Sequence, residues 1–586
     1  MTRLKGIWKN LLTAILVPAA FFLVVEGVLA LSGVEPVRYE DDPYVGFSAS
    51  FPLFVEDAGS GRMITAPNKR RLFNAQSFPR DKPNGAYRIF CLGGSTTHGR
   101  PYGDSTSFCG WLRALLAAVE PDRRWEVVNA GGVSYASYRS AELMEELLEY
   151  EPDLFIVYSG HNEFLERRTY SGLIRTPAPV RGLTALLGRT RLWAFGQGVL
   201  DRLADDPDQN DGAGEGSTTL NPEVTTLLDG SIGPDAYARD PELRQQIVEH
   251  YRFNLGRMVD IGRSVGAETI LITPAGNLRS STPFKSQHRE GLEASELDRW
   301  EALVAEAESL SEAGDPAAAL AVLERAAEID ELWAHLHFER GRLLHQLGRS
   351  GEARGAFERA REEDVCPLRA LQEIIDSVRE VGREWDVPVV DFVSLADRLA
   401  PDRLPGEELF FDHVHPKVQV HRALALELMA VLRDEGVLDR DASWTQQLVA
   451  GVTQEVEETL DPVAHGVALL NLSKVLGWAG KIEEAGRLAV LATQRAPELA
   501  EAHYQAGLCA QLQGHLEPAI GHYRRALELA PDVATAHSNL AAALEERGST
   551  LQAILHYRRA VELLPDGPYR AQLIATLNRL GATSED

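Results

Sequence analysis

The run Arg88-Ile-Phe-Cys-Leu-Gly-Gly-Ser-Thr-Thr97 decides the fold class. Its apolar half reads as a short strand, and the two glycines end it. They let the backbone turn sharply at the strand's carboxyl end, so that Ser95 projects into the crevice where open parallel sheets bind ligands. Leu154-Phe-Ile-Val-Tyr-Ser159 is a second such strand and runs into Gly160-His-Asn162 and Glu163. Thr269–Thr273 follows the same pattern, and a helix over 367–384 leads to the strand Val387–Asp391. Strands alternating with helices predict an α/β domain. Far downstream, Asp412-His-Val-His415 sets an Asp and a His three residues apart, close enough for the carboxylate to orient an imidazole that deprotonates the serine.

None of these motifs is specific by itself. Gly-Gly-Ser-Thr-Thr lacks the Gly-Lys-Ser/Thr ending of a phosphate-binding P-loop, which excludes that nucleotide reading here. Gly160-His-Asn162 and Asp412-x-x-His415 also occur in ordinary turns. In this order, however, strand–Ser, strand–Gly-x-Asn and a late Asp-x-x-His resemble the SGNH (GDSL-type) serine hydrolases over residues 86–297 and 366–436. The resemblance implies a three-layer, flavodoxin-like α/β domain and hydrolysis of ester bonds. It implies Ser95 as nucleophile, His415 as general base and Asp412 as the group that orients the base. It implies an oxyanion hole made of the Ser95 and Ser134 N–H groups and the Asn162 side-chain amide.

Two departures from the family pattern bear on the site. Counting from Asn129, the family's oxyanion glycine falls on Ser134, with Gly132 as an alternative donor. In place of Gly-Asn-Asp the chain has Gly160, His161, Asn162 and Glu163, and His161 and Glu163 are expected at the rim in hydrogen-bonding roles. No cofactor or metal is expected, because His98, His161 and His413 show no metal-ligand spacing. In an extended segment His413 would point away from His415.

The chain has 586 residues, enough for two to four domains. Arg3, Lys5 and Lys9 precede an apolar stretch at 11–31, and acidic residues follow it. That pattern predicts a cytoplasmic segment over 1–10, a single transmembrane anchor over 11–31, and an extracytoplasmic remainder, periplasmic in a bacterium. A signal peptide cleaved after Ala30 is the rival. Residues 33–85 read as a partly packed spacer. Four cysteines make no disulfide framework, and only Cys91 and Cys109 lie near enough in sequence to consider bridging. The net charge of −27 argues against nucleic acid or an anionic membrane surface as the main partner.

Gly480, Gly514 and Gly548 recur at 34 residues, as do Pro497, Pro531 and Pro565, with alanines at 485, 519 and 553 in phase. This period resembles three tetratricopeptide repeats over 464–565, closed by a helix at 568–580. Gly314 and Gly348 mark a second, inserted pair over 298–365 that interrupts the α/β domain. Another insertion, 165–240, carries a short helix near 181–203 and an acidic, glycine-rich stretch over 205–216 that reads as disordered. Repeats of this kind imply a protein partner, and those after residue 464 are expected to form a separate unit dispensable for chemistry. The leading functional expectation is a membrane-anchored extracytoplasmic serine esterase, with acylated envelope glycans as one substrate class. The alternatives are an O-acyltransferase acting on such glycans, and a scaffold around a dead hydrolase domain. A dead site would have no reason to keep Ser95, Asn162, Asp412 and His415 together.

Overall fold

The computed structural model describes residues 52–165 and 237–582. The expected anchor, the start of the spacer, the helix near 181–203 and the 205–216 stretch lie outside the described residues. Among the described residues no helix is long and apolar enough to cross a membrane.

Three short strands, β1 (Phe54–Glu56), β2 (Arg62–Thr65) and β3 (Ser77–Pro79), form a small antiparallel sheet. Five more, β4 (Ala86–Gly93), β5 (Arg124–Gly131), β6 (Leu154–Tyr158), β7 (Glu268–Ile272) and β8 (Val389–Val390), form a parallel sheet in the order β5-β4-β6-β7-β8. The order reverses between β4 and β6, and such a switch point opens a crevice at the carboxyl ends of the two strands. Ser95 follows one of those ends and Asn162 the other.

The strands are mostly apolar because both faces of the sheet are covered. Phe90 and Leu92 of β4 enter one core, and Ile89 and Cys91 enter the other; Phe155 and Val157 of β6 likewise oppose Leu154 and Ile156. Helices Ser137–Leu147, Pro241–Ser264 and Gln372–Glu384 cover the first face. Phe108–Val119, Phe392–Leu399, Val418–Asp434 and Gln446–Glu458 cover the second. Three layers result, as expected. The second core takes in Leu438 and Val452, so the α/β unit runs past residue 436.

The described part of the spacer is packed structure. Phe54 and Phe78 are buried, meet edge to face at 4.9 Å, and both rest on Tyr150. The helical units follow the 34-residue period. Ala294–Glu312, Pro316–Ala327, Ala334–Gln346 and Ser350–Glu362 form the inserted pairs, starting slightly before residue 298. Pro462–Trp478 with Ile482–Arg495, Ala500–Leu512 with Leu516–Leu529, and Ala534–Glu546 with Thr550–Leu563 form the later three, capped by Pro568–Arg579. Glycines 314, 348, 480, 514 and 548 all have φ between 73° and 87°, the left-handed turn a side chain resists.

The first of the later pairs is not detached. Tyr102 and Phe411 of the α/β unit pack into its core beside Leu469 and Leu470, and the His465 ring stacks on Tyr102 at 3.7 Å. The expectation of a separate unit is corrected for residues 462–495. Cys91, Cys109, Cys366 and Cys509 are buried free thiols, so Cys91 and Cys109 are not bridged.

Candidate active site

Close approach, as much as turning, dictates the two glycines after β4. A Cβ on Gly93 would lie 1.9 Å from the Tyr158 carbonyl oxygen, and one on Gly94 would lie 2.5 Å from Asn162 Nδ2. Ser95 then opens the short helix Ser95–His98. Thr97 Oγ1 donates to the Tyr158 carbonyl at 3.1 Å, and Asn129 Nδ2 donates to the Thr97 carbonyl at 3.0 Å. Those bonds lock the Ser95 turn to β5 and β6.

Asp412 folds its own loop. Its Oδ1 accepts the Val414 and His415 N–H groups at 2.9 and 2.8 Å, a side-chain-closed turn typical of Asp. Its Oδ2 meets His415 Nδ1 at 2.6 Å, and His415 Nε2 meets Ser95 Oγ at 2.8 Å. The three residues expected to act together are therefore in one hydrogen-bonded line. Burial works against the Asp412 charge, but the His415 and His413 imidazoles and the bonds from His415 hold its carboxyl well below the usual range. Because this loop is a turn and not an extended strand, His413 does not point away. Its ring centroid lies 6.2 Å from that of His415, and its Nδ1 lies 3.7 Å from Asp412 Oδ2.

The oxyanion candidates separate cleanly. Gly132 N–H donates to the Gly93 carbonyl at 2.9 Å, Val133 N–H to the Leu72 carbonyl at 3.0 Å, and Tyr135 N–H to the Gly132 carbonyl at 3.2 Å. Ser134, held at φ 63°, has an N–H with no acceptor among the described residues. Gly132 is thus engaged and Ser134 is available. Asn162 Nδ2 donates one hydrogen to the Tyr135 carbonyl at 3.0 Å and has a second to give.

His161 and Glu163 are not rim residues: both are buried, at 6% and 0% exposure. Glu163 accepts from Ser137 N–H at 2.9 Å, Ser137 Oγ at 2.7 Å and Ser159 Oγ at 3.3 Å, and burial raises its carboxyl to about 7. His161 Nδ1 accepts the Ala370 N–H at 3.3 Å, and burial pulls its imidazole down to about 3. His161 and Glu163 are internal supports for the Asn162 turn. One supporting residue went unread in the sequence: Asn277, whose Nδ2 donates to the Asp412 carbonyl at 3.1 Å and whose N–H donates to the His413 carbonyl at 2.9 Å. Its place just beyond β7, at the ligand-binding edge, was the available signal.

Among the described residues no three His, Cys, Asp or Glu side chains are grouped to hold a metal ion. His98 and His421 lie near the site, and burial lowers each to about 3. A cavity of about 1170 Å³ lined by Phe73, Tyr135, Glu146 and Trp385 includes none of Ser95, Asp412 and His415.

Comparison with known proteins identifies tetratricopeptide repeats at residues 304–364 and 500–533. No curated protein matches the chain. Among solved structures, an O-GlcNAc transferase mutant from Thermobaculum terrenum is 29% identical over 20% of this chain and 23% of its own length, with a TM-score of 0.19. YrrB, a tetratricopeptide-repeat protein with an unusual peptide-binding site, is 15% identical over 47% of this chain and 90% of its own, TM-score 0.18. A G-D-S-L family protein from Desulfitobacterium hafniense is 11% identical over 60% of this chain and 100% of its own, TM-score 0.26. The chain carries tetratricopeptide repeats joined to a parallel-sheet α/β unit.

Proposed function

We propose that the chain is a serine esterase of the SGNH type, held at the membrane by residues 11–31 with its catalytic part outside the cytoplasm. The observation that carries this reading is the line Ser95–His415–Asp412 at the sheet's switch point. His415 Nε2 takes the Ser95 proton as Oγ attacks an ester carbonyl, and Asp412 fixes the tautomer and stabilises the imidazolium. The Ser95 and Ser134 N–H groups and the free hydrogen of Asn162 receive the oxyanion. One such donor is worth about 2.7–4 kcal/mol in the transition state. The alcohol leaves with the proton returned by His415, and water, activated by the same base, hydrolyses the acyl-enzyme. The repeats supply a surface for a protein partner, and location makes an acylated envelope glycan the substrate class of choice.

The test is labelling of the full chain by a fluorophosphonate, followed by release assays on acetylated and longer-chain acylated glycans. Labelling lost in Ser95→Ala, with acyl release from one glycan class in the membrane fraction, is the expected result. No labelling, or labelling that survives Ser95→Ala, sinks the reading.

A further inference from the structure

Segment 277–285, which leaves the carboxyl end of β7, is held by three buried charges from two distant parts of the chain. Asp364, at the exit of the inserted repeats, accepts the Phe284 and Lys285 N–H groups at 2.7 and 3.0 Å. Arg369 donates to the Asn277 and Ser281 carbonyls at 2.7 and 3.1 Å. Lys481, in the first of the later repeats, donates to the Thr282 carbonyl and hydroxyl and, at 2.6 Å, to the Pro283 carbonyl. Its Nζ also sits 4.5 Å from the centre of the Phe284 ring, a cation–π contact.

The other side of this segment touches the Asp412–His415 loop. Phe284 meets the His413 ring edge to face at 4.9 Å, while Asn277 binds the carbonyls of Asp412 and His413. The contacts therefore run without a gap from Lys481 through Phe284 to His413, next to both Asp412 and His415. Lys481 also departs from its counterparts. It follows the repeat's turn glycine, and at that position Asp315 and Arg349 bond within their own helices, to Ala318 N–H and to Glu352. Lys481 instead reaches out of its repeat and is buried, although burial pulls its ammonium down to about 8 against the attraction of Glu484 and Asp364. A buried cation is costly unless its acceptors are in place.

We infer that Lys481 is a positioning residue for the hydrolase site: through segment 277–285 it fixes the Asp412–His415 loop, which makes the first C-terminal repeat part of the catalytic unit. This rests on the serine-hydrolase reading above. Because the effect is on the base and not on substrate contacts, it should appear in kcat and not in KM.

The experiment compares the full chain with Lys481→Met, Phe284→Leu and Lys474→Met, the last removing an exposed ion pair between the same repeat and Glu501 of the next. Turnover of p-nitrophenyl acetate, fluorophosphonate labelling rate and the downfield proton of the His415–Asp412 bond are read for each. Lys481→Met and Phe284→Leu should lower kcat and labelling at least tenfold with KM within twofold, and should shift or broaden that proton. Lys474→Met should match the wild type. Should Lys481→Met fail to fold, Phe284→Leu carries the test alone. Wild-type kcat and an unshifted proton in a folded Lys481→Met or Phe284→Leu overturn the inference. Absence of any labelling in the wild type removes the esterase reading instead, and the proton resonance then decides the positioning role by itself.

Discussion

Asn162 stands where the Cβ of residue 94 would be: a methyl group there would lie 2.5 Å from Asn162 Nδ2. The Gly-Gly turn and the Gly-His-Asn turn are therefore one device. The first makes room for the amide that the second delivers beside Ser95.

Gly94→Ala is accordingly expected to displace that amide and to cost activity on the scale of Asn162→Ala, about 10²–10³ in kcat for loss of one oxyanion donor. Steady-state turnover of a small ester and a thermal melt check it. A Gly94→Ala protein with unchanged kcat removes Asn162 from the oxyanion hole.

Ser95→Ala and His415→Ala should each abolish measurable ester turnover to a similar extent, because members of a proton relay act as a unit. Asp412→Ala should cost less. His413→Ala, which leaves the Ser95–His415–Asp412 line in place, should retain more activity than any of the three. If His413→Ala inactivates and His415→Ala does not, the base has been misassigned.

Glu163 gives a stability signature. Its carboxyl is raised from 4.5 to about 7, chiefly by burial, and Glu146 behind β1 is raised to about 7 for the same first cause. Between those pH values the folded chain holds protons that the unfolded chain releases, so stability falls as pH rises from about 4.5 to 7. Glu163→Gln should remove its share of that slope, on the order of 2 kcal/mol between pH 5 and 7.5. Urea midpoints at the two pH values measure it. A slope as steep in the variant as in the wild type places the effect elsewhere.

Truncation should distinguish the repeats from one another. A chain ending near residue 440 lacks the helix bearing Val452 and the pair that packs on Tyr102 and Phe411, and is expected to lose both stability and turnover. A chain ending near residue 498 keeps them and should hydrolyse small esters at a rate close to the full chain. Equal activity in the two truncations contradicts the packing role of residues 446–495.

What could be read in the sequence was local or periodic. Ser95, Asn162 and the Asp412–His415 pair follow strand ends or a self-closing turn, and their neighbours in sequence produce that geometry. Glycines 314 to 548 betray the repeats because each takes a left-handed turn at the same point in the period. Ser134 was reached by spacing; its N–H has no acceptor among the described residues, whereas that of Gly132 donates to the Gly93 carbonyl. What stayed hidden depends on partners far along the chain. Glu163 and His161 looked like rim residues because their partners, Ser137 and Ala370, sit 26 and 209 positions away. Lys481 and Thr282 are 199 positions apart, and no window of sequence links a repeat turn to the loop beside a triad.

The 320 positions between Ser95 and His415 also impose an order in time. On the serine-hydrolase reading, a growing chain exposes its nucleophile long before it owns a base, since domains take shape from the amino end as synthesis proceeds. Every partial product of 95 to 414 residues therefore carries Ser95 without His415. The clamp on segment 277–285 then acquires its last buried cation only when residue 481 follows. On the serine-hydrolase reading, emergence of residue 481, late in synthesis, completes a site whose first residue, Ser95, was made nearly four hundred positions earlier.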